Sequence, residues 1–350
     1  MSHIENIEIK NFKSISCAKI EGCRRINVFV GPPNTGKSNI LEAIGLLTFI
    51  RQKRVDILKE LVRFEKLTHL FNFSNIQNPA IIEFNKKYSV HIKYEDEQGL
   101  FFQLIHNGDA DLQYNPRLFG FKIGDGRLSS GSTNDVDNFA SGLSELQSLN
   151  VKPYKFSDAK VYNKNISALE LNIPFGKNMF EVIINNTELR KEFSDLLKPY
   201  DLDLIIDISE SDIKVSPKIK DGIINTIPIS LIADTLIRLI FFKTAIISSK
   251  DSVLLLEEPE ANCYEPYISE TTNAIKNDKK NNQFFIVTHS QYVVDELLRD
   301  EQSRNDTNIY LVGIDEGETK VKLLSPQVSK DVYQTGLNIF FNYQNLWDEN

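Results

Sequence analysis

Gly31-Pro32-Pro33-Asn34-Thr35-Gly36-Lys37-Ser38 decides how this chain is read. The octet meets the pattern G-x-x-x-x-G-K-[ST] at every fixed position. An apolar run, Ile26–Val30, precedes it and reads as a strand; a helical pattern starts at Lys37. That context matters because the pattern works only as a strand-to-helix turn. Its glycines let the backbone wrap close to a phosphate, and the amide groups of the loop and helix start point at the anion. Lys37 is expected to reach the β- and γ-phosphates of a nucleoside triphosphate, and the Ser38 hydroxyl to hold Mg2+. A chance Gly/Pro turn has no reason to carry a strand on one side and a helix on the other.

Working outward, two more strand ends carry candidate chemistry. Ser252–Leu256 is apolar after its first residue and runs into Glu257-Glu258-Pro259-Glu260. A strand buried on both faces that ends in carboxylates places them at the carboxyl edge of a parallel sheet, where open α/β sheets bind ligands. Glu257 is expected to hold Mg2+ and Glu258 to polarise an attacking water, with one of the adjacent acids raised in pKa. Phe284–Val287 is a second apolar strand and leads into Thr288-His289-Ser290, placing His289 near the γ-phosphate. A lone His is more often structural. Its place at the next strand end favours a functional role.

The remaining pattern predicts an α/β fold with a mostly parallel core sheet, an N-terminal antiparallel β subdomain and a helical insertion or lid. Strands are expected around Ile4–Phe12, Cys17–Ile20, Ala80–Phe84, Tyr88–Tyr94, Leu100–His106, Leu202–Ile206, Ile213–Val215 and Ile309–Gly313, with turns at Asn85-Lys86 and Gln98-Gly99. Helices are expected at Lys37–Phe49, Val55–Leu67, Asn178–Leu197 with a break at Asn185-Asn186, Ala233–Ile247 and Pro266–Lys276. Gly124–Asn138, rich in Gly, Ser, Asp and Asn, reads as a loop. The implied division is residues 1–110 and 206–330 as two ATPase lobes, 111–205 as the insertion, and 331–350 as an aromatic tail. That tail either docks on its own core or meets a partner.

Composition sets limits. The 350 residues are 41% hydrophobic and 25% charged, with net charge −8. The balance gives no support for nucleic acid as the main partner, although a local basic groove stays possible. Cys17, Cys23 and Cys263 lack C-x-x-C spacing, which predicts free thiols, a reducing cytoplasm and no zinc site. The N-terminus does not read as a secretory signal. The longest apolar stretch, Ile227–Ile247, is interrupted by Asp234, Arg238 and Lys243, so it reads as a buried helix and not as a membrane span.

Taken in order, Ile4–Ile15 (I-E-N-I-E-I-K-N-F-K-S-I), the phosphate loop, the E-E-P-E-A stretch at Glu257–Ala261 and the T-H-S triplet resemble an ABC-type ATPase head of the RecF/SMC/OLD-like class. The resemblance covers nearly the whole chain. It implies ATP and Mg2+ as cofactors, with Lys13, Gly31, Pro32, Pro33, Asn34, Thr35, Gly36, Lys37, Ser38 and Asn39 around the nucleotide. Ser38 and Glu257, where the family commonly has Asp, would hold the metal. Glu258 matches the catalytic carboxylate and His289 the switch histidine; Lys37 completes the catalytic set. Pro259-Glu260-Ala261 falls where the loop facing an opposite subunit would be.

The resemblance also implies a signature segment that acts on a second subunit's nucleotide, here Ser230-Leu231-Ile232-Ala233-Asp234-Thr235. Relatives carry glycine where this chain has none, so Ala233 and Thr235 would crowd a backbone approach to phosphate and weaken closure. Asn262-Cys263-Tyr264 replaces a pattern that usually contains His. Gln103 and Gln147 are the candidates for the metal-sensing Gln. Only about 60 residues follow the histidine motif, too few for a Toprim nuclease domain. Asp109–Asp201 lacks the sustained heptads of an SMC coiled coil.

The implied function is a slow ATPase that works as a conformational switch. It would act as a head-to-head dimer or larger assembly and control a separate effector, a nuclease or toxin, in anti-phage defence. The alternatives are a RecF-like repair ATPase that clamps DNA, which the acidic balance disfavours, and an ATP-binding scaffold with little turnover. A small-molecule P-loop kinase has no need of the Glu-Glu and Thr-His-Ser pair in this order.

Overall fold

The alternating N-terminus folds into strands β1 (Ile7–Phe12) and β2 (Ile15–Ile20), and the apolar run before the phosphate loop into β3 (Ile26–Val30). Every residue of β3 is buried, as a strand covered on both faces requires. The structure, a computed structural model, describes residues 3–52, 55–95, 99–106, 117–121, 128–129, 149–157, 168–210, 212–217 and 224–349.

After the loop come helices α1 (Lys37–Gln52) and α2 (Val55–Leu61), then strands β4 (Ala80–Phe84), β5 (Tyr88–Glu95), β6 (Gly99–His106), β7 (Arg117–Phe121), β8 (Leu128–Ser129) and β9 (Asn150–Tyr154). Helices α3 (Met179–Asn185) and α4 (Thr187–Leu197) follow, then β10 (Leu202–Asp207), β11 (Asp212–Pro217), β12 (Ile227–Pro228) and α5 (Asp234–Ser248). The last third holds β13 (Ser252–Glu257), α6 (Glu265–Lys276), β14 (Gln283–Val287), α7 (Gln291–Leu298), α8 (Glu301–Asp306), β15 (Thr307–Asp315), β16 (Glu318–Leu323), α9 (Pro326–Thr335) and α10 (Tyr343–Glu349).

The chain divides into two compact units, and both are discontinuous in sequence. The first comprises Met1–Pro153, Ser252–Glu257 and Gln283–Asn350. It holds a seven-stranded sheet in the order β2-β1-β4-β5-β6-β7-β8 and a six-stranded sheet in the order β16-β15-β3-β14-β13-β9. In the six-stranded sheet β13, β14, β3 and β15 run parallel, and β16 returns antiparallel to β15. Among the described residues the strand pairings of the seven-stranded sheet are all antiparallel. The Asn85-Lys86 turn between β4 and β5 has both residues in left-handed backbone, φ 53° and 55°, the geometry of a two-residue hairpin turn. This is the parallel core sheet with an antiparallel N-terminal subdomain that the sequence predicts.

The second unit comprises Tyr154–Asp251 and Glu258–Asn282. It contains the β10-β11-β12 antiparallel sheet and helices α3 to α6. Asn186 caps α4, its side chain accepting from the Leu189 amide, and so makes the break expected at Asn185-Asn186. The apolar helix α5 buries Leu236, Leu239, Ile240, Phe241, Phe242, Ala245 and Ile246. Its Lys243 is buried too, held by Glu192 and, at 2.8 Å, by Glu270. Among the described residues no helix is long and apolar enough to cross a membrane.

One expectation needs correction. The helix expected over Val55–Leu67 ends at Leu61, and Leu67–Leu70 is a separate 3-10 turn. Past the helix end Arg63 turns toward Glu42, its amide donating at 3.4 Å and its Nε at 3.0 Å, contacts that compete with continued helix. The aromatic tail, left open between core and partner, docks on its own unit: Leu346 and Trp347 are buried. Most of the loop Gly124–Asn138, the candidate Gln147 and the Gln103 side chain lie outside what is described.

Candidate functional site

The site is built on three neighbouring strand ends in the first unit. β14 lies between β3 and β13, all parallel, with Glu257 level with Val287 and Val287 level with Phe29. Neighbouring strands stand about 4.8 Å apart. The carboxyl ends that carry Glu257, His289 and the phosphate loop therefore span about 10 Å of one sheet edge. Helix α1 packs on β13 and β14.

The loop has the conformation a polyphosphate cradle needs. Asn34 is left-handed (φ 61°) and Gly36 has φ 97°, a region that glycine adopts freely. The Thr35 hydroxyl donates to the Pro32 carbonyl at 2.9 Å and pins the turn. Lys37 is buried, and its ammonium donates to the carbonyls of Gly31 at 2.8 Å and Pro32 at 2.6 Å. Pro32, Pro33 and Asn34 are exposed; Ser38 and Asn39 are half-buried at the head of α1. The first turn of α1 has no acidic residue, so the positive end of its dipole is not neutralised from within. A turn with glycine at both fixed positions, backbone N–H groups, one ammonium and one hydroxyl form a donor set that suits a nucleotide polyphosphate. Ser38 and Glu257 offer hard oxygen ligands that suit Mg2+. Among the described residues no three His, Cys, Asp or Glu side chains form a metal cluster.

Lys13, in left-handed backbone (φ 52°), is tied into the site through α1. Its ammonium donates to Glu42 at 2.5 Å. Glu42 is almost fully buried and also accepts from Arg63, whose guanidinium reaches on to Glu257 at 2.9 Å. Lys13, Glu42, Arg63 and Glu257 thus form one alternating chain of charge that ends at the expected metal ligand. The sequence reading found the two ends and missed Glu42 and Arg63. The signal was a lone carboxylate inside the apolar run Ile40-Leu41-Glu42-Ala43-Ile44, since a buried charge needs partners.

Behind the loop sit Ser14 and Thr319, also missed. Asn39 donates to the Ser14 hydroxyl at 2.7 Å, and that hydroxyl lies 3.2 Å from Thr319 Oγ1. His289 is exposed, while Thr288 beside it is buried, its amide donating to the Phe29 carbonyl and its hydroxyl accepting from the Ser290 amide. Glu258 follows β13 in left-handed backbone (φ 45°), and its carbonyl accepts from Ala261. In the second unit, Ala233 stands at the N-cap of α5 without a side-chain cap, Asp234 opens the helix, and both are exposed. Thr235 follows half-buried, and Ser230 lies in the 3-10 turn Ile229–Leu231.

A phosphate loop between a parallel strand and a helix, beside strand ends carrying Glu and His, defines the class: an ATPase domain with the ABC-type head fold of SMC and RecF proteins. The chain belongs to the family described as "AAA domain, putative AbiEii toxin, Type IV TA system", whose model matches residues 26–295. An ATP/GTP phosphatase of Helicobacter pylori is 22% identical over 354 residues, covering 89% of this chain and 93% of that protein. The DNA replication and repair protein RecF of Lactobacillus johnsonii is 40% identical over 62 residues, only 18% of this chain and 17% of its own length. Among solved structures, an SMC head bound to the C-winged helix domain of ScpA has a TM-score of 0.54 at 16% identity, covering 94% of this chain and 99% of that one. A Pyrococcus furiosus SMC head domain with an extended coiled coil, bound to the C-terminal domain of ScpA, gives 0.53 at 14% identity, covering 96% of this chain and 99% of that one. The likeness to the two heads is one of fold.

Proposed function

We propose that this chain binds ATP at Gly31–Asn39, hydrolyses it slowly, and uses the cycle as a conformational switch on a separate effector. The observation that carries the reading is the Lys37 ammonium seated on the Gly31 and Pro32 carbonyls, in a loop two strands along the same sheet edge from the strand end that bears Glu257. In this reading Lys37 and the α1 amides neutralise the β- and γ-phosphates. Lys13 and Asn39 flank them. Ser38 and Glu257 hold Mg2+, which when bound draws charge from the phosphate oxygens. Glu258 orients a water and accepts its proton; His289 donates a hydrogen bond at the γ-phosphate.

Ser230, Ala233, Asp234 and Thr235 are read as the segment a second copy meets. Their lack of glycine favours slow closure. A role in defence, with a nuclease or toxin as effector, draws support from the toxin–antitoxin wording of the family description. That both SMC heads are bound to part of a partner protein is in keeping with an effector docked on a head. The net charge of −8 weighs against a DNA clamp.

The test pairs two variants. Lys37→Ala should abolish nucleotide binding, and Glu258→Gln should keep it while phosphate release falls about 100-fold or more. Wild-type turnover in Glu258→Gln would remove Glu258 from its role. Wild-type affinity in Lys37→Ala would remove the loop from its own.

A further inference from the structure

Helix α10 carries the only tryptophan of the chain and lies against bare backbone. Trp347 is buried, and the Tyr343 and Trp347 rings stack with centroids 5.8 Å apart. A Cβ at Gly313 of β15 would stand 2.5 Å from the Tyr343 hydroxyl and 2.9 Å from the indole, so only glycine admits the two rings here. Lys322 of β16 closes the contact. Its ammonium donates to the Trp347 carbonyl at 2.6 Å and sits 4.7 Å from the indole centroid.

The β15–β16 hairpin that α10 grips also meets the phosphate loop at both fixed glycines. One residue before Gly313, the Val312 carbonyl oxygen fills the space a Gly31 Cβ would need. On β16, Thr319 is fully buried, and its Oγ1 stands 2.7 Å from where a Gly36 Cβ would be. The Ser14 hydroxyl stands 2.8 Å from the same point. The back wall of the loop is the hairpin, and an outer brace of the hairpin is the C-terminal helix. Close-packed contacts of this kind pass on small displacements and do not absorb them.

The geometry points to Trp347 and Tyr343 as positioning residues for nucleotide binding: their docking on Gly313 holds the hairpin, and the hairpin holds Gly31 and Gly36 in the phosphate-receiving shape. The inference rests on reading Gly31–Ser38 as the nucleotide site. Coupling of this kind is reciprocal. A nucleotide that orders the loop tightens the seat of Trp347 by the same factor that loss of the seat weakens the nucleotide.

The lone tryptophan makes this measurable in the full chain. Iodide quenching of Trp347 emission is followed while a non-hydrolysable ATP analogue with Mg2+ is titrated in, and occupancy is read separately by calorimetry. Quenching should fall along the calorimetric binding curve and stay unchanged in Lys37→Ala. Trp347→Ala should weaken analogue binding by about fivefold or more. Phe341→Ala, which removes a ring of the same tail that is 91% exposed, should keep wild-type affinity. Should Trp347→Ala fail to fold, the wild-type quenching curve decides alone. Calorimetric binding with unchanged quenching, or full affinity in folded Trp347→Ala, overturns the coupling. Absence of any binding heat overturns the nucleotide reading and the coupling with it.

Discussion

The Arg63 guanidinium donates to the Glu257 carboxylate at 2.9 Å. The carboxylate expected to hold a divalent cation is therefore already held by a fixed positive charge. The Arg63 side chain is 65% exposed, so solvent screens the pair and its net strength is under about 1 kcal/mol. A cation bound at Glu257 displaces such a partner easily, and Arg63 keeps its second contact to Glu42. Arg63→Gln should accordingly fold normally and, at saturating ATP, need several-fold less Mg2+ for half-maximal phosphate release. An unchanged or higher Mg2+ requirement would take Glu257 out of the metal's coordination.

Glu42 holds the opposite position in the same chain of charge. Its side chain is 1% exposed and satisfies Lys13 on one oxygen and Arg63 on the other. Glu42→Gln keeps the volume but leaves the partly buried Lys13 ammonium without its counter-charge. The expected loss is about 2 kcal/mol, read as a lower urea midpoint. The control is Glu8→Gln. Glu8 meets the more exposed Lys10 and Lys19 on strand surfaces, and its removal should cost under about 1 kcal/mol. Equal losses in the two variants would mean that burial at Glu42 adds nothing.

The sequence carried those parts of the fold that have a local cause. The octet Gly31–Ser38 announces its own turn, because its glycines, the apolar run before it and the helical pattern after it are all local. The apolar runs Val253–Leu256 and Phe284–Val287 announce strands covered on both faces. What stayed hidden depends on contacts distant in sequence. Thr319 gives no sign in its own neighbourhood that it backs Gly36, and β16 has the look of any polar hairpin strand. Arg63 falls inside a helical pattern but lies beyond the helix end, where it meets Glu42, 21 residues earlier. The division of the strands between two interleaved units likewise leaves no mark in hydrophobic periodicity.

The thiols give a pH dependence. Burial pushes Cys23 up to about 12 and Cys263 up to about 11, the nearby Arg238 opposing the rise at Cys263. Unfolded, both titrate near about 8.5. An acid whose folded pKa is raised binds its proton more tightly in the native state, so its contribution is intact below the unfolded pKa and is lost as pH climbs toward the folded one. Stability should decline from about pH 8.5 upward, and Cys23→Ser should flatten that decline. Buried Tyr154 and Tyr310, also raised by burial, act with the same sign at higher pH, so the comparison is of variant against wild type. Iodoacetamide at pH 8 should modify Cys23 and Cys263 far more slowly in the folded protein than in urea. Fast labelling of the folded chain would contradict the burial argument.

Phe73 gives the last prediction, and two observations oppose each other there. Its backbone is left-handed at φ 46°, costly for a bulky residue, and its ring is 87% exposed, so burial returns nothing. The turn is held from outside. Asn11 donates to the carbonyls of Asn75 at 3.0 Å and Asn78 at 2.8 Å and accepts from the Asn72 amide, while Asn72 donates to the Lys13 carbonyl at 2.9 Å. Glycine relieves about 1–3 kcal/mol of strain at such a position and costs about 0.5–1 kcal/mol in unfolded-chain entropy. Phe73→Gly should therefore raise stability by about 1 kcal/mol. Asn11→Ala, which removes the brace and leaves the strain, should lower it. A fall in melting temperature for Phe73→Gly would show that the exposed ring makes contacts stronger than the backbone penalty it carries.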